Sequence, residues 1–299
     1  MHQSKYFFIL GPSRVGSTFA SQLIGEYTDN SIVLPETQWF TELTNGPYDS
    51  LEFPKDITRV AYLAARLRKD YYDKPKKEDF DLARTLVDGM SKKSAHEIFR
   101  EILAELYPDA RCFIDHCGSN YIHYHDLSKA FGALITFVML DRDTMRLMHS
   151  QRYRYRLYSI PGNTLSLREY IRLRFAYNDL LYAWRIKTWR QFTTKQRINP
   201  ILFDDWSQNP EVLLAEISEV QEDKLYERKK TLINSSNPPL INEKDCNRYR
   251  LALGLVGCPK YDRKVWSLLN LKNILLLPFQ AIIILLFSPD KFNSILKKF

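Results

Sequence analysis

Length, composition and charge limit what this chain can be. Its 299 residues, 45% hydrophobic and 13% aromatic, suffice for one large domain or two small ones and do not fit a disordered or low-complexity protein. The formal charge of +8 favours an anionic partner, but charge alone does not distinguish a nucleotide from an acidic glycan, nucleic acid or anionic lipid. Four cysteines without a C-x-x-C pair indicate reduced thiols. No signal peptide precedes the first predicted strand, so we expect a cytoplasmic protein.

The first predicted elements are a buried strand and a glycine turn, which begin at residue 6, and a helix over residues 17–27. Backbone N–H groups at the start of such a helix attract phosphate. Residues 11–18 read G-x-x-x-x-G-S-T and nearly match the nucleoside-triphosphate loop G-x-x-x-x-G-K-[ST], with Ser17 in place of the lysine. Arg14 is the fixed positive charge of this loop. The alternative is the same strand, turn and helix without a ligand.

A glutamate follows the next predicted strand, residues 32–34. Glu36 lies just beyond the carboxyl end of that strand, where α/β sheets place ligands, and is our candidate general base. The equally supported alternative is a glutamate in the first turn of a helix that contains Trp39 and Phe40. Further on we predict a loop over residues 41–56, helices over 57–67, 80–90 and 95–106, and a solvated charged connector over 74–79.

A short predicted strand, residues 111–115, lies among several potential metal ligands. These side chains are Cys112, His116, Cys117, His123 and His125. Their spacing matches no usual pair of zinc ligands. We therefore expect buried cysteines and partly exposed histidines rather than a metal site.

The clearest strand prediction is residues 132–140, because nearly continuous apolar residues suit a parallel strand that is buried on both faces. Arg142 follows this strand directly, and Ser150 lies two turns into the helix predicted next. The spacing permits both side chains to face one anion. An arginine in a surface ion pair is the alternative.

Taken together, these motifs resemble the sulfotransferases that use 3′-phosphoadenosine 5′-phosphosulfate (PAPS). G-x-x-R-x-G-S-T resembles their 5′-phosphosulfate loop, and Arg142 followed eight residues later by Ser150 resembles their 3′-phosphate pair. PETQWF and FIDHCGSN resemble the acceptor-base segment and the D-K-x-P segment of the branch that contains tyrosylprotein and many bacterial carbohydrate sulfotransferases. Residues 199–220 resemble the later strand and helix of the family. The ordered matches extend over residues 5–220.

The resemblance implies roles for the matching residues. Arg142 and Ser150 would hold the 3′-phosphate, and Glu36 would take the proton of an acceptor hydroxyl. The 5′-phosphosulfate would be held by the loop residues Arg14, Val15, Gly16, Ser17 and Thr18. His116 stands where the branch commonly has lysine, which would make stabilisation of the sulfuryl oxygens weaker or pH-dependent. Gly118 replaces the usual proline and Asp204 stands near the usual glutamate. The absence of an R-K-G-x-x-G-x-W segment argues against the steroid and phenol branch.

The resemblance also implies a fold and a set of ligands. Residues 1–264 would form an α/β domain, a P-loop NTPase-like three-layer sandwich with a mainly parallel sheet of about five strands and helical insertions. PAPS would be the sulfuryl donor, no metal would be needed, and the acceptor would be a hydroxyl of a carbohydrate or glycolipid. The alternatives are a P-loop-type nucleotide kinase, which would need another lysine, and a noncatalytic nucleotide- or glycan-binding protein.

The remaining segments carry weaker signals. Residues 165–190 are predicted to form a long helix with an apolar core face and a solvated basic face, and no RNA-binding motif accompanies it, so we expect no nucleic-acid partner. Residues 221–264 are predicted to be a polar connection. The tail, residues 265–299, contains an apolar run over 274–287 that is too short to span a bilayer. A membrane-interface segment, flanked by lysines, and a helix packed in the core or a dimer are equally supported.

Overall fold

The structure is a computed structural model that describes residues 4–42, 50–52, 55–68, 75–88, 92–158, 179–215, 217 and 240–258. The chain divides into two compact units. The first comprises residues 1–141 and 199–234, and the second comprises residues 142–198 and 235–299.

The first unit is built on a sheet of five strands. These are β1 (Lys5–Leu10), β2 (Ser31–Val33), β5 (Cys112–Asp115), β6 (Ile135–Asp141) and β7 (Ile201–Leu202). Their order in the sheet is β2-β5-β1-β6-β7, and every neighbouring pair is parallel. A parallel five-stranded sheet flanked by helices confirms the predicted α/β class and is consistent with a P-loop-like three-layer sandwich.

Strand β1 is central because its side chains are apolar on both faces. Phe7, Phe8, Ile9 and Leu10 are all at most 1% exposed. In register, Phe8 is opposite Asp115 of β5 on one side, and Leu10 is opposite Met139 of β6 on the other. The strand order therefore reverses at β1: β2 and β5 lie on one side of it, and β6 and β7 lie on the other. Ligands of open α/β sheets bind at such a reversal, beyond the carboxyl ends of the strands.

Eleven α-helices lie in the described ranges of the chain. In chain order they are α1 (Ser17–Tyr27), α2 (Trp39–Glu42), α3 (Ile57–Arg68), α4 (Lys77–Val87), α5 (Ala95–Leu106), α6 (Tyr124–Phe131), α7 (Thr144–Tyr158), α8 (Asp179–Gln196), α9 (Phe203–Trp206), α10 (Pro210–Leu214) and α11 (Glu243–Leu255). Helix α1 packs on β1, β2 and β5. Helices α3, α4 and α5 pack on one another and form the helical insertion between β2 and β5.

Three boundaries in the first unit differ from the sequence predictions. The loop predicted over 41–56 contains strand β3 (Ser50–Glu52), which pairs antiparallel with β4 (Lys92–Ser94). The connector predicted over 74–79 is wrong in its second half, because α4 begins at Lys77 and Asp79 is 3% exposed. The carboxylate of Asp79 accepts from the backbone N–H of Lys76 at 2.8 Å and pairs with Arg68 at 3.0 Å, so the charges here cap and join helices.

The predicted central strand over 132–140 begins later than expected. Residues Gly132–Leu134 form a 3-10 turn, and β6 starts at Ile135. Its first three residues are half-buried and its last four are buried. Burial on both faces of the sheet therefore accounts for the second half of the apolar run over 132–140 but not for its first half.

The second unit contains α7, α8 and α11, each of which contacts the other two. The side chain of His149 on α7 hydrogen-bonds the hydroxyl of Tyr249 on α11 at 3.2 Å, and Arg248 pairs with Asp179 of α8. Lys187 donates to the carbonyl of Val256 at 2.6 Å. The prediction of a polar connection over 221–264 is wrong where α11 forms, since buried side chains such as Tyr249 and Leu253 give it an apolar face.

Two further predictions reach beyond the described ranges. Of the helix predicted over 165–190, the structure describes the part from Asp179, and that helix continues to Gln196. The tail over residues 265–299 lies outside the described residues. Within the part of the chain that is described, no helix is both long and apolar enough to cross a membrane.

Candidate functional site

The loop after β1 has the backbone conformation of an anion cradle. Arg14 and Gly16 adopt positive φ angles of 71° and 97°. The N–H of Val15 turns back to the carbonyl of Pro12 at 3.2 Å. Helix α1 then begins at Ser17, and its N-cap residue, Gly16, has no side chain to cap the first turn. The start of α1 thus offers backbone N–H donors and the positive end of the helix dipole to an anion.

Close backbone contacts hold this loop at the carboxyl edge of the sheet. The N–H of Gly11 donates to the carbonyl of Gly118 at 3.2 Å, and a Cβ on Gly118 would lie 2.4 Å from the carbonyl oxygen of Gly11. On the side of β6, a Cβ on Gly11 would lie 2.6 Å from the carbonyl oxygen of Leu140. Glycine is therefore required at both positions, and the ends of β1, β5 and β6 meet at the loop.

Helix α9, which follows β7, packs against the loop at Gly16. A Cβ on Gly16 would lie 2.6 Å from the ring of Phe203 and 3.3 Å from the ring of Trp206. Trp206 also stacks on Phe19 of α1, with ring centroids 5.2 Å apart. Helix α9 therefore fixes the glycine around which the loop turns into α1.

Glu36 lies between β2 and α2, in a segment held by three long-range hydrogen bonds. Arg66 of α3 donates to the carbonyl of Thr37 at 2.8 Å, and the N–H of Gln38 donates to the sulfur of Cys117 at 3.2 Å. The indole N–H of Trp39 donates to the carbonyl of Ala95 at 3.0 Å. Because α2 begins at Trp39, Glu36 precedes the helix, and the alternative of a first-turn glutamate is wrong.

Glu36 and Arg14 lie within electrostatic range of each other. Partial removal from water raises the pKa of Glu36, while the charge of Arg14 and a hydrogen bond with the Gln38 side chain lower it. Glu36 is nevertheless exposed over part of its surface, so another molecule can reach it. A carboxylate that is poorly hydrated yet accessible, beside the arginine of a phosphate-type loop, is suited to accept a proton.

The turn after β5 connects the loop with the Glu36 segment. The carboxylate of Asp115 accepts from the N–H of Cys117 at 2.8 Å and from the side-chain amide of Asn120 at 3.2 Å, both at Oδ1. The pKa of Asp115 is raised to about 7, chiefly by burial and in smaller part by the charge of Glu36, against the lowering effect of these donors and the Cys117 thiol. Through Gly118 and Cys117, this turn contacts both the loop and the backbone beside Glu36.

His116 points into the protein rather than into open solvent. It is 9% exposed, and burial lowers the pKa of its imidazole, opposed by hydrogen bonds to the backbone of His116 and Leu34. The ring is therefore neutral at pH 7 and can contribute a hydrogen bond but not a full positive charge. Its role in catalysis stays a prediction.

Arg142 and Ser150 belong to the second unit. Arg142 precedes α7 and is 8% exposed, whereas Ser150 lies on α7 and is 4% exposed. Their burial does not fit the alternative of a surface ion pair for Arg142. Their assignment to a 3′-phosphate stays a prediction.

Several residues of this site were not predicted from the sequence as functional. They are Arg66, Asp115, Cys117, Gly118 and Asn120. Arg66 lies between the buried residues Ala65 and Leu67 on α3, and an arginine within an apolar helical stripe is the signal that could have drawn attention to it. Among the residues that the structure describes, no group of three or more His, Cys, Asp or Glu side chains could hold a metal ion.

Fold and site together define an α/β protein with a phosphate-type loop beside a partly desolvated glutamate. No protein-family model and no curated protein sequence matches the chain.

Proposed function

We propose that this protein is a sulfotransferase that transfers a sulfuryl group from PAPS to a hydroxyl acceptor. The observation that carries the proposal is the pairing of a lysine-free phosphate loop with Glu36, on which the charge of Arg14 acts directly. The loop supplies backbone donors and one cation, which suits a phosphosulfate. The lysine that contacts the terminal phosphates in P-loop NTPases is absent at Ser17, which disfavours triphosphate chemistry.

The residues of the loop fit the 5′ end of this donor. Three parts of the loop can contact the anionic oxygens together. They are the start of α1 at Ser17 and Thr18, the backbone turn at Val15 and Gly16, and the guanidinium of Arg14. Arg142 and Ser150 are assigned to the 3′-phosphate on the resemblance of their spacing. That second anchor would distinguish a 3′,5′-bisphosphate from ATP.

Glu36 acts as the general base in this scheme. Its carboxylate takes the proton of the acceptor hydroxyl while the hydroxyl oxygen forms a bond to sulfur. The bond between sulfur and the 5′-phosphate oxygen breaks, and its electron pair stays on the departing bisphosphate. Arg14 and the N–H groups of the loop stabilise that developing charge, and neutral His116 can add a hydrogen bond to the sulfuryl oxygens.

The acceptor is assigned only as a class. A carbohydrate or glycolipid hydroxyl is favoured by the resemblance of PETQWF and FIDHCGSN to the carbohydrate and tyrosylprotein branch. The net charge of +8 suits an anionic acceptor or membrane surface, to which the lysine-flanked apolar tail could bind. We also propose that the enzyme is cytoplasmic and lies in part at the inner face of the membrane.

A transfer assay tests the proposal. The full-length protein is incubated with PAPS labelled with sulfur-35 and a panel of mono- and oligosaccharides, glycolipids and tyrosine peptides, with and without a chelator. The expected result is label transfer to a carbohydrate or glycolipid that the chelator does not change. PAPS binding without transfer across the panel would favour a noncatalytic protein, and magnesium-dependent hydrolysis or transfer from ATP would overturn the proposal in favour of a kinase.

A further inference from the structure

Two buried oxygen atoms at the centre of the site have no hydrogen-bond partner. Asp115 and Asn120 are 2% and 1% exposed. Oδ1 of Asp115 accepts from the N–H of Cys117 and from Nδ2 of Asn120. Oδ2 of the same carboxyl and Oδ1 of the same amide remain without a partner in the described structure. Buried polar atoms without partners are costly, so this pair of acceptors requires a physical account.

A single proton on Oδ2 of Asp115 would give each of these atoms a partner. The acid and the amide already share one hydrogen bond, from Asn120 Nδ2 to Asp115 Oδ1 at 3.2 Å. If Oδ2 of Asp115 carries a proton, it can donate to Oδ1 of Asn120 and close a second bond antiparallel to the first. An ionised carboxylate would instead leave a negatively charged Oδ2 and the Oδ1 of Asn120 both buried without a donor.

We propose that Asp115 carries a proton on the acid side of neutral pH and then forms a two-point acid–amide pair with Asn120. The pair makes Asp115 a positioning residue. It fixes the turn at residues 117–120, which holds the loop through the Gly118 carbonyl and the Glu36 segment through the Cys117 sulfur. The pair itself rests on these buried contacts, and only its consequence for catalysis rests on the proposed function.

The groups around Asp115 favour this protonation state. The pKa of Asp115 is raised to about 7, and burial is the largest cause. The charge of Glu36 on the facing segment also raises that pKa, whereas the donors from Cys117 and Asn120 lower it. The neighbouring His116 has a pKa lowered by burial, and the Cys117 thiol has a pKa raised well above its usual range, so both are neutral at pH 7. The residue opposite Asp115 on β1 is the apolar Phe8.

Protonation of Asp115 leaves Glu36 as the carboxylate that bears charge on this side of the loop. At higher pH, ionised Asp115 would lose its bond to Oδ1 of Asn120 and would repel Glu36. The turn would then hold the loop and the base less firmly. Asp115→Asn is a permanent mimic of the protonated acid, because its amide can accept at Oδ1 and donate to Asn120 without titrating.

Two measurements without any ligand test the pair. In protein labelled with carbon-13 at aspartate side-chain carboxyls, one resonance should titrate near neutral pH in NMR spectra and should be missing in Asp115→Asn. In thermal unfolding, a raised native pKa gives stability that is present at low pH and is lost as the pH rises to the native value, here between about pH 4 and about pH 7. The melting temperature of the wild type should therefore fall with pH relative to that of Asp115→Asn. Asp205→Asn, at an exposed aspartate of the same unit, should follow the wild type.

The NMR titration separates failure of the acid–amide pair from failure of the proposed function. Absence of an aspartate resonance that titrates near neutrality in the wild type would overturn the pair, even if Asp115→Asn failed to fold. Asn120→Leu, which removes the amide, offers a second check because it should shift that resonance, and an unchanged titration would also contradict the pair. If the resonance is found but PAPS does not bind, the proposed function fails while the pair stands. If PAPS binds and no such resonance exists, only the pair fails.

Discussion

The phosphate-type loop and the Glu36 side of the candidate site are held by different kinds of interaction. The loop is shaped by backbone: positive φ angles at Arg14 and Gly16, an uncapped helix start, and glycine contacts with neighbouring strands. The Glu36 segment is held through side chains: Arg66 and Cys117 bond to its backbone, and its own Trp39 bonds to the carbonyl of Ala95.

This difference indicates which parts of the site tolerate substitution. Ser17 replaces the P-loop lysine without removing any backbone donor, so an anion cradle persists while triphosphate chemistry is disfavoured. The position and ionisation of Glu36, in contrast, depend on individual side chains. Substitutions on the two sides should therefore separate ligand binding from turnover.

Glu36→Gln should give the largest effect and should act on turnover alone. Loss of the base removes on the order of 10²- to 10⁴-fold of rate, while the loop and its contacts are unchanged. The measurement is kcat for sulfuryl transfer together with PAPS affinity. Full turnover in this variant would remove Glu36 from its role, and loss of PAPS affinity would show that the two sides are not separable.

Gly16→Ala should act on the opposite side, on binding and stability. The backbone cost of alanine at a φ of 97° is about 1–2 kcal/mol, and overpacking against the Phe203 ring, 2.6 Å from the new Cβ, adds about 1–3 kcal/mol. Denaturant unfolding and ligand affinity check both. Gly257→Ala is the control, because its φ is 72° and its nearest contact is the end of the Lys187 side chain. If the control lost ligand affinity equally, loop geometry would not explain the effect.

Arg66→Ala should loosen the Glu36 segment without altering the loop. The guanidinium bond to the Thr37 carbonyl at 2.8 Å is a charge-assisted bond, worth about 1.5–3 kcal/mol. We expect a lower unfolding free energy and a kcat reduced by about tenfold, with unchanged PAPS affinity. Arg59→Ala on the same helix removes only an exposed pair with Asp56 at 3.5 Å and should change neither quantity appreciably. Equal kcat values for the two variants would contradict the positioning of Glu36 by Arg66.

Arg14→Gln should shift the pH dependence of turnover. Glu36 must be ionised to act, so the rate falls as the pH drops through its pKa, which burial already raises. Removing the charge of Arg14 removes a lowering influence, and the acid limb of kcat against pH should move to higher pH. A limb that does not move, or moves to lower pH, would mean that the titrating group is not Glu36.

The two sides also differ in how far the sequence predicted them. The glycine pattern predicted the loop, and helix α1 begins and ends where residues 17–27 indicated, because a strand, turn and helix are local in sequence. Glu36 was found from its position after a strand. The segment FIDHCGSN was identified by its resemblance, but its support of Glu36 was not predicted, because the bond between Gln38 and Cys117 joins residues 79 positions apart, and no local pattern encodes it.

Burial explains the other differences. Asp79 was interpreted as part of a solvated connector, whereas it is buried and caps α4. The same residue type is charged and solvated in one packing environment and buried and paired in another. Asp115 is the sharper example, because nothing in the letters FIDHCGSN distinguishes an ionised aspartate from a buried one that shares a turn with Asn120.

The central claim is that this loop binds a 3′,5′-bisphosphate nucleotide rather than a nucleoside triphosphate. Calorimetry of adenosine 3′,5′-bisphosphate and of ATP with magnesium tests it most directly, with the wild type, Arg142→Ala and the exposed control Arg146→Ala. We predict tight bisphosphate binding that needs no metal, is lost in Arg142→Ala and is retained in Arg146→Ala. Preference for ATP with magnesium, or bisphosphate binding that Arg142→Ala leaves unchanged, would contradict the account.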